Sequence, residues 1–115
     1  TSVQTEYGKC FEHYVFMELR AYLDYVQSKM NFSYWRTTSG FEVDFVIGEQ
    51  VAIETKTTKK VDNRDLRGLR AFMEEKICHR YILVCCEERP RKLQDGIEIM
   101  PWKHFLANLW DGHIV

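Results

Sequence analysis

Hydrophobic and polar residues alternate along two neighbouring stretches near the middle of the chain. In residues 41–47 an aromatic or aliphatic side chain occupies every second position, and residues 51–56 repeat that alternation. A period of two residues is typical of β-strands. The residues between the stretches, Gly48-Glu49-Gln50, predict a short loop, so the pattern predicts a β-hairpin.

The register of this hairpin brings two carboxylates together. A three-residue loop pairs Ile47 with Val51, and counting outward from that pair places Asp44 opposite Glu54. Opposed side chains on one sheet face have Cβ atoms roughly 4.5–5.5 Å apart, so two carboxylates there repel each other. A divalent cation between them would remove the repulsion, and Lys56 is predicted to lie beside them.

The rest of the hydrophobic pattern predicts three helices and three further strands. The helices are predicted at residues 3–27, 64–76 and 101–110, and the strands at 32–37, 81–86 and 97–100. The resulting order is α-β-β-β-α-β-β-α. Antiparallel strands followed by a helical crossover to a buried strand predict an α/β domain, with a mixed sheet flanked by helices.

The helix boundaries and inward faces follow from capping residues and apolar spacing. Candidate N-caps are Thr1, Ser2 or Thr5 for the first helix and Asp62 or Asn63 for the second. Gly112 is predicted to end the third helix, and residues 87–96 are predicted to be a loop or a frayed turn. The residues predicted to face inward are Val3, Tyr7, Phe11, Val15, Leu19, Tyr22, Leu23 and Val26 in the first helix, and Trp102, Phe105, Leu106, Leu109 and Trp110 in the last.

Composition limits the classes of partner. The 115 residues suffice for one domain. A net charge of −1 gives no general attraction to nucleic acid or acidic membranes, so any such contact must come from a local patch. One local patch is basic and consists of Lys59, Lys60, Arg64, Arg67 and Arg70. This run could be solvated surface or, next to a carboxylate site, a place where a phosphate backbone is held.

Targeting signals and cysteine usage predict a cytoplasmic location. The apolar stretches are too short for a membrane span, which needs ~20 residues, and no secretory signal pattern is present at the start. The chain does not begin with Met, which predicts that it belongs to a longer protein. The cysteines at positions 10, 78, 85 and 86 form no C-x-x-C pair, so we expect them to be reduced and mostly buried.

Several phrases of the sequence resemble known nucleases. An acidic residue on a first helix, followed by Asp44 and the Glu54-Thr55-Lys56 hairpin strand, resembles the PD-(D/E)XK fold over roughly residues 5–86. A closer resemblance is to the C-terminal domain of a prokaryotic AAA+-type ATPase family of poorly known function. The phrases that carry it are Gly8-Lys9-Cys10-Phe11-Glu12, Glu18-Leu19, Tyr34-Trp35-Arg36, Glu42-Val43-Asp44-Phe45-Val46-Ile47, Ile53-Glu54-Thr55-Lys56, Pro101-Trp102 and Leu109-Trp110-Asp111-Gly112.

The resemblance implies a restriction-endonuclease-like core and a set of roles. By this likeness, Mg²⁺ or Mn²⁺ is held by Glu12, Asp44, Glu54 and the backbone carbonyl of Thr55. Lys56 would orient the attacking water or steady the developing charge. Mg²⁺ prefers oxygen ligands and is often held by few carboxylates plus water, and it can activate that water and neutralise phosphate charge.

The sequence departs from the nuclease pattern in one respect and leaves one position open. Val43 precedes Asp44, where the motif has Pro. The helix acid is ambiguous, because Glu12 and Glu18 lie about 120° apart around a helix at ~100° per residue. We favour Glu12, which follows Phe11 in the register that the superfamily uses.

Two functional hypotheses follow. The first is metal-dependent hydrolysis of phosphodiesters in nucleic acid, DNA being the favoured substrate, by a domain attached to an ATPase domain of the same parent chain. The second is a catalytically inactive binding or oligomerisation module of such an ATPase, with the carboxylates retained as a relic. No G-x-x-x-x-G-K-[ST] motif occurs in the chain, so an ATPase domain would lie outside it.

Overall fold

A computed structural model describes residues 6–115, in which three α-helices flank one six-stranded sheet. The candidate caps Thr1, Ser2 and Thr5, and the predicted inward position Val3, lie outside the described residues. The helices are α1 (Glu6–Tyr25), α2 (Arg67–Met73) and α3 (Trp102–Trp110). The strands are β1 (Phe32–Arg36), β2 (Glu42–Ile47), β3 (Val51–Thr55), β4 (Arg80–Cys85), β5 (Arg91–Lys92) and β6 (Glu98–Pro101).

The sheet is mixed, as the order of elements predicted. Its strands are arranged β1-β2-β3-β4-β6-β5. The pairs β3–β4 and β4–β6 are parallel, whereas β1–β2, β2–β3 and β5–β6 are antiparallel. The parallel strands occupy the centre, where helices cover both faces and exclude water from apolar side chains. No helix in the described part of the chain is long and apolar enough to cross a membrane.

Each face of the sheet has its own core. Helices α1 and α3 cover one face through a first cluster that includes Phe11, Leu19 and Phe105. Helix α2 and the 3-10 turn before it (Asn63–Leu66) cover the other face through a second cluster, in which Leu69 and Phe72 are buried. Asp62 caps that turn in a reciprocal capping box with Asp65, which confirms the predicted cap.

The structure contains a strand, β5, that the sequence did not predict. Residues 87–96 are therefore not all loop or frayed turn. Arg91 and Lys92 pair antiparallel with Ile99 and Glu98 at the edge of the sheet, and both of their side chains are exposed. An edge strand of two charged residues buries no apolar face, so it produces no hydrophobic pattern. Its strand character comes from backbone pairing alone.

Three side chains predicted to face inward are exposed: Tyr7, Val26 and Trp110. Tyr7 lies near the start of α1, and Val26 follows the last residue of that helix. Trp110 is the last residue of α3, and its indole reaches sideways to donate a hydrogen bond to Glu18. Helical spacing identified the apolar positions correctly but could not tell which of them the sheet would cover.

Strict alternation along β2 is also wrong, because the strand contains a bulge. Ser33 pairs with Val46 and Trp35 with Val43, so Asp44 and Phe45 together lie opposite Tyr34. The extra residue reverses the sheet face to which the side chains before it point. Val43 consequently packs in the second cluster with Val46, whereas Phe45 belongs to the first.

Cysteine placement agrees with the sequence in part. Cys85 belongs to the second cluster and Cys86 packs against the first, so these adjacent side chains point to opposite faces of the sheet. Cys78 and Cys85 are buried, while Cys10 is exposed on α1. All four cysteines are unpaired thiols.

Candidate metal centre

Asp44 and Glu54 meet where β2 and β3 end their backbone ladder. The predicted pairing of Ile47 with Val51 is confirmed, and the ladder continues to the pair Phe45–Ile53. Beyond that pair, side chains join the strands. The Asp44 N–H donates to Glu54 Oε1 at 3.0 Å, and the Thr55 N–H donates to Asp44 Oδ2 at 2.9 Å. Each carboxylate is therefore held by the backbone of the opposite strand.

The Thr55 hydroxyl is a contact that sequence reasoning missed. It donates to Asp44 Oδ2 at 2.7 Å, so this single oxygen accepts two hydrogen bonds from Thr55. The resemblance to nucleases implies a role only for the backbone carbonyl of Thr55. The available signal was a hydroxyl-bearing residue where the alternation of β3 otherwise has Val51 and Ile53. The contact fixes Asp44 Oδ2 without using its other oxygen.

Glu54 is a buried acid, with only 5% of its surface exposed. Burial, and secondly the negative charge of Asp44, hold the pKa of Glu54 well above its ordinary value. Lys56 opposes these effects in part, because its Nζ lies 3.6 Å from Glu54 Oε2. Two carboxyl groups and one ammonium thus share a confined space, in which a second positive charge would stabilise ionised Glu54.

The raised pKa predicts how metal-free stability depends on pH. The folded-state pKa of Glu54 lies above the unfolded value of 4.5, so above about pH 4.5 the folded state retains a proton that the unfolded state has lost. The contribution of Glu54 to stability is complete below about pH 4.5 and is lost as pH rises through the folded-state pKa. We therefore expect Glu54→Gln to stabilise the metal-free domain at neutral pH, by on the order of 1 kcal/mol or more.

Urea unfolding at about pH 5 and pH 7.5 in a chelator measures this difference. Gln accepts the Asp44 N–H through its own Oε1 and carries no charge, so the variant should exceed the wild type most at the higher pH. Asp62 and Glu87 have lowered pKa values, so their contributions to stability change at pH values below the two compared. Those contributions are the same in the wild type and the variant. The prediction is contradicted if the free energies of unfolding of wild type and variant differ by the same amount at both pH values.

The position of Asp44 depends on the bulge in β2 and on close packing of α2. Gly68 of α2 lies against the backbone carbonyl of Glu42, two residues before Asp44. A Cβ on residue 68 would stand 2.1 Å from that oxygen, so only Gly permits this approach. The helix therefore holds β2 directly beside the carboxylate pair.

The two candidate helix acids have different surroundings. Glu18 accepts a hydrogen bond from Trp110 Nε1 at 3.0 Å, which ties it to α3. Glu12 is half-buried and follows Phe11, whose ring is buried in the first cluster. Across residues 6–115, no three His, Cys, Asp or Glu side chains form a group that could hold a metal ion. Glu12 thus forms no such group with Asp44 and Glu54, and its role as a third ligand stays a prediction.

The basic run lies on the α2 side of the sheet and is partly neutralised. Arg64 pairs with Asp62 at 3.1 Å, and Arg70 pairs with Asp95 at 3.0 Å. Arg67 instead lies over the ring of Phe41, 5.7 Å from its centroid. A cavity of about 540 Å³ is lined by Phe41, Asn63, Arg64, Arg67, Arg70, Ala71 and Glu74. Lys59 and Lys60 line a different cavity, so the run is divided between two surfaces.

Trp35, on the strand before the hairpin, packs against the core. Its ring lies 4.9 Å from that of Phe72, centroid to centroid, and it packs against the second cluster. The indole is half-buried on β1. This placement gives Trp35 a packing role.

Comparison with known proteins gives one match. The family model described as "Domain of unknown function (DUF4143)" matches residues 7–105, a range that includes Glu12, Asp44, Glu54 and Lys56. No curated protein matches the chain, and no solved structure matches it.

Proposed function

The chain belongs to the DUF4143 family, and for this member we propose metal-dependent hydrolysis of nucleic-acid phosphodiesters by a PD-(D/E)XK-like core. One observation carries the proposal: Glu54 is buried against Asp44 with Lys56 alongside, at the point where β2 and β3 stop pairing. Holding a buried carboxylate against a second, half-buried one is costly unless a cation accompanies them. A purely structural role would be served as well by neutral side chains.

The donor set fits Mg²⁺ or Mn²⁺. Hard divalent cations take oxygen ligands, and Mg²⁺ commonly uses one or two carboxylates and keeps several waters. Asp44 and Glu54 would supply those carboxylates, and the Thr55 carbonyl would add a third oxygen. Glu12 is the proposed helix acid. The bound ion would supply activation of water and neutralisation of phosphate charge.

The chain's own residues would position and stabilise the reacting groups. The Thr55 N–H and hydroxyl orient Asp44 through its Oδ2. Asp44 orients Glu54 in turn, because its N–H donates to Glu54 Oε1. Lys56, half-buried and 3.6 Å from Glu54 Oε2, would steady negative charge developing on the phosphate.

The basic residues on the α2 side support nucleic acid as the substrate class. Arg67 extends over Phe41, beside the β2 segment that leads to Asp44. A guanidinium there would contact a phosphate, whereas Arg64 and Arg70 would first have to leave their carboxylate partners. We further propose, on the resemblance alone, a cytoplasmic parent chain that carries an ATPase domain.

A second candidate function is supported by the same contacts. The N–H groups of Asp44 and Thr55 donate to carboxylates at the point where the backbone ladder ends, and Lys56 already provides positive charge. The site could thus close the hairpin without a metal. In that case the domain is a non-catalytic module, and the carboxylates serve only to join β2 and β3.

Metal binding separates the two candidates. With Mn²⁺ at five times its dissociation constant, the wild-type protein should gain about 1 kcal/mol of unfolding free energy. Glu54→Gln and Asp44→Asn should each remove most of that gain, because each replaces a charged ligand by a neutral amide. Thermal unfolding with and without Mn²⁺, paired with calorimetric titration, measures the effect.

The matched control is Glu49→Gln, which removes an exposed carboxylate from the loop of the same hairpin. Its response to Mn²⁺ should equal that of the wild type. If Mn²⁺ stabilises wild type and Glu54→Gln to the same degree, the ion binds elsewhere. If it does not stabilise the wild type at millimolar concentration, the non-catalytic candidate is favoured.

A further inference from the structure

Helix α1 has a second apolar stripe that the domain does not cover. Its core-facing side is formed by Phe11, Val15, Leu19, Tyr22 and Leu23. Another set of residues recurs at alternating spacings of three and four along the exposed side: Tyr7, Cys10, Tyr14, Met17 and Ala21. That spacing averages 3.5 residues, the repeat that packs one helix against another.

Helix α3 extends this stripe into a wider surface. Tyr14 contacts the edge of Trp102, with ring centroids 6.0 Å apart, and Tyr25 lies 5.9 Å from Trp110. We name the surface formed by Tyr7, Tyr14, Met17, Tyr25, Trp102 and Trp110 the aromatic face. Its most exposed members range from Trp110, at 42%, to Tyr25, at 77%. Tyr, Trp and Met are the residue types enriched in protein interfaces.

The area of the aromatic face approaches what a stable dimer needs. At ~200 Å² for a fully exposed large side chain, the exposed fractions of Tyr7, Tyr14, Met17, Tyr25 and Trp110 give about 560 Å² per copy. A specific interface buries about 600–1,000 Å² on each partner. The face, to which part of Trp102 also contributes, therefore lies close to the lower limit of that range.

The charges bordering the aromatic face favour an apolar partner. Arg20 pairs with Asp24 on the same helix at 3.2 Å, and Glu18 is bonded to Trp110. Lys103 lies over the ring of Trp102. These charged groups are already engaged within the domain, and no charged side chain belongs to the aromatic face itself, so the face fits an apolar partner. In an isologous dimer the apolar patch of one copy packs against the same patch of the other copy, so each patch has an apolar partner.

We propose that the aromatic face of α1 and α3 is the interface of a homodimer, in which it packs against the same face of a second copy of this chain. The aromatic face is distinct from the carboxylate site, because it includes neither Lys56 nor any of the proposed metal ligands Glu12, Asp44, Glu54 and Thr55. Dimerisation would bury Tyr14, Met17 and Trp110.

Sedimentation equilibrium of the 115-residue chain, in reducing buffer so that Cys10 cannot cross-link copies, tests the proposal. The wild type should reach twice the 13.8 kDa chain mass as its concentration rises to about 200 µM. Tyr14→Glu and Met17→Glu should each weaken association at least about tenfold, because each buries a charge at the centre of the interface.

Ile77→Glu is the matched control, since Ile77 is similarly exposed but lies beyond α2 and outside the aromatic face. It should associate like the wild type. Met17→Glu keeps the test valid if Tyr14→Glu fails to fold, because Met17 makes no ring contact with α3. A wild type that stays at the monomer mass, or equal weakening by Ile77→Glu, would overturn the proposal.

Discussion

Glu54→Gln should reduce Mg²⁺- or Mn²⁺-dependent cleavage of nucleic acid by about a thousandfold or more, to background. The substitution keeps the size of the side chain and its hydrogen bond from the Asp44 N–H, but it removes the charge that would hold the ion. Asp44→Asn should have a similar effect. Cleavage of DNA and RNA, single- and double-stranded, measures it at low salt, where a protein of net charge −1 binds nucleic acid most strongly.

Lys56→Ala should separate chemistry from metal binding. An ammonium is not a metal ligand, so this variant should lose turnover while it keeps most of its Mn²⁺-induced stabilisation. Glu49→Gln should cleave like the wild type. Cleavage that persists in Glu54→Gln would indicate another site or a contaminant. A wild type, and a parent chain, that cleave no substrate with either metal would favour the non-catalytic candidate.

Gly68→Ala should destabilise the domain by about 1–3 kcal/mol or more. Helix propensity alone predicts the opposite sign, because Ala is better than Gly inside a helix by about 1 kcal/mol. The added methyl, however, would lie 2.1 Å from the carbonyl oxygen of Glu42. Backbone atoms cannot yield as a flexible side chain can, so α2 and β2 must separate. Urea unfolding measures the cost.

The sign of this effect identifies its cause. Ala71→Gly, in the same helix, gives the propensity term by itself and should cost about 1 kcal/mol. Movement of β2 should also disturb Asp44, so Gly68→Ala should weaken the response to Mn²⁺ beyond its effect on stability. A Gly68→Ala variant more stable than the wild type would show that α2 does not approach β2 this closely.

The hairpin and its carboxylate pair were accessible from the sequence. Alternation predicts a period of two, a loop of known length sets the register, and together they bring Asp44 and Glu54 to the same place. The pairing of Ile47 with Val51, which sets this register, is confirmed. The capping box of Asp62 and Asp65 was equally local, since its partners lie three residues apart.

Other features depended on contacts between distant segments. The bulge at Asp44 and Phe45 arises from pairing with β1, and no pattern within β2 indicates an extra residue. Strand β5 exists only because β6 lies next to it. The raised pKa of Glu54 requires burial by the whole fold, whereas the sequence gives only the presence of a carboxyl group.

By itself, the sequence determined which residues alternate, which repeat with helical spacing and where turns occur, because these properties depend on near neighbours along the chain. Helical spacing also identified the covered stripe of α1, since Phe11, Val15, Leu19, Tyr22 and Leu23 are all buried as predicted. Only the tertiary structure decided that Tyr7, Val26 and Trp110, which were predicted to face inward, stay exposed. These residues lie at or just beyond the ends of α1 and α3, and whether a helix end is covered depends on packing between segments far apart in the chain.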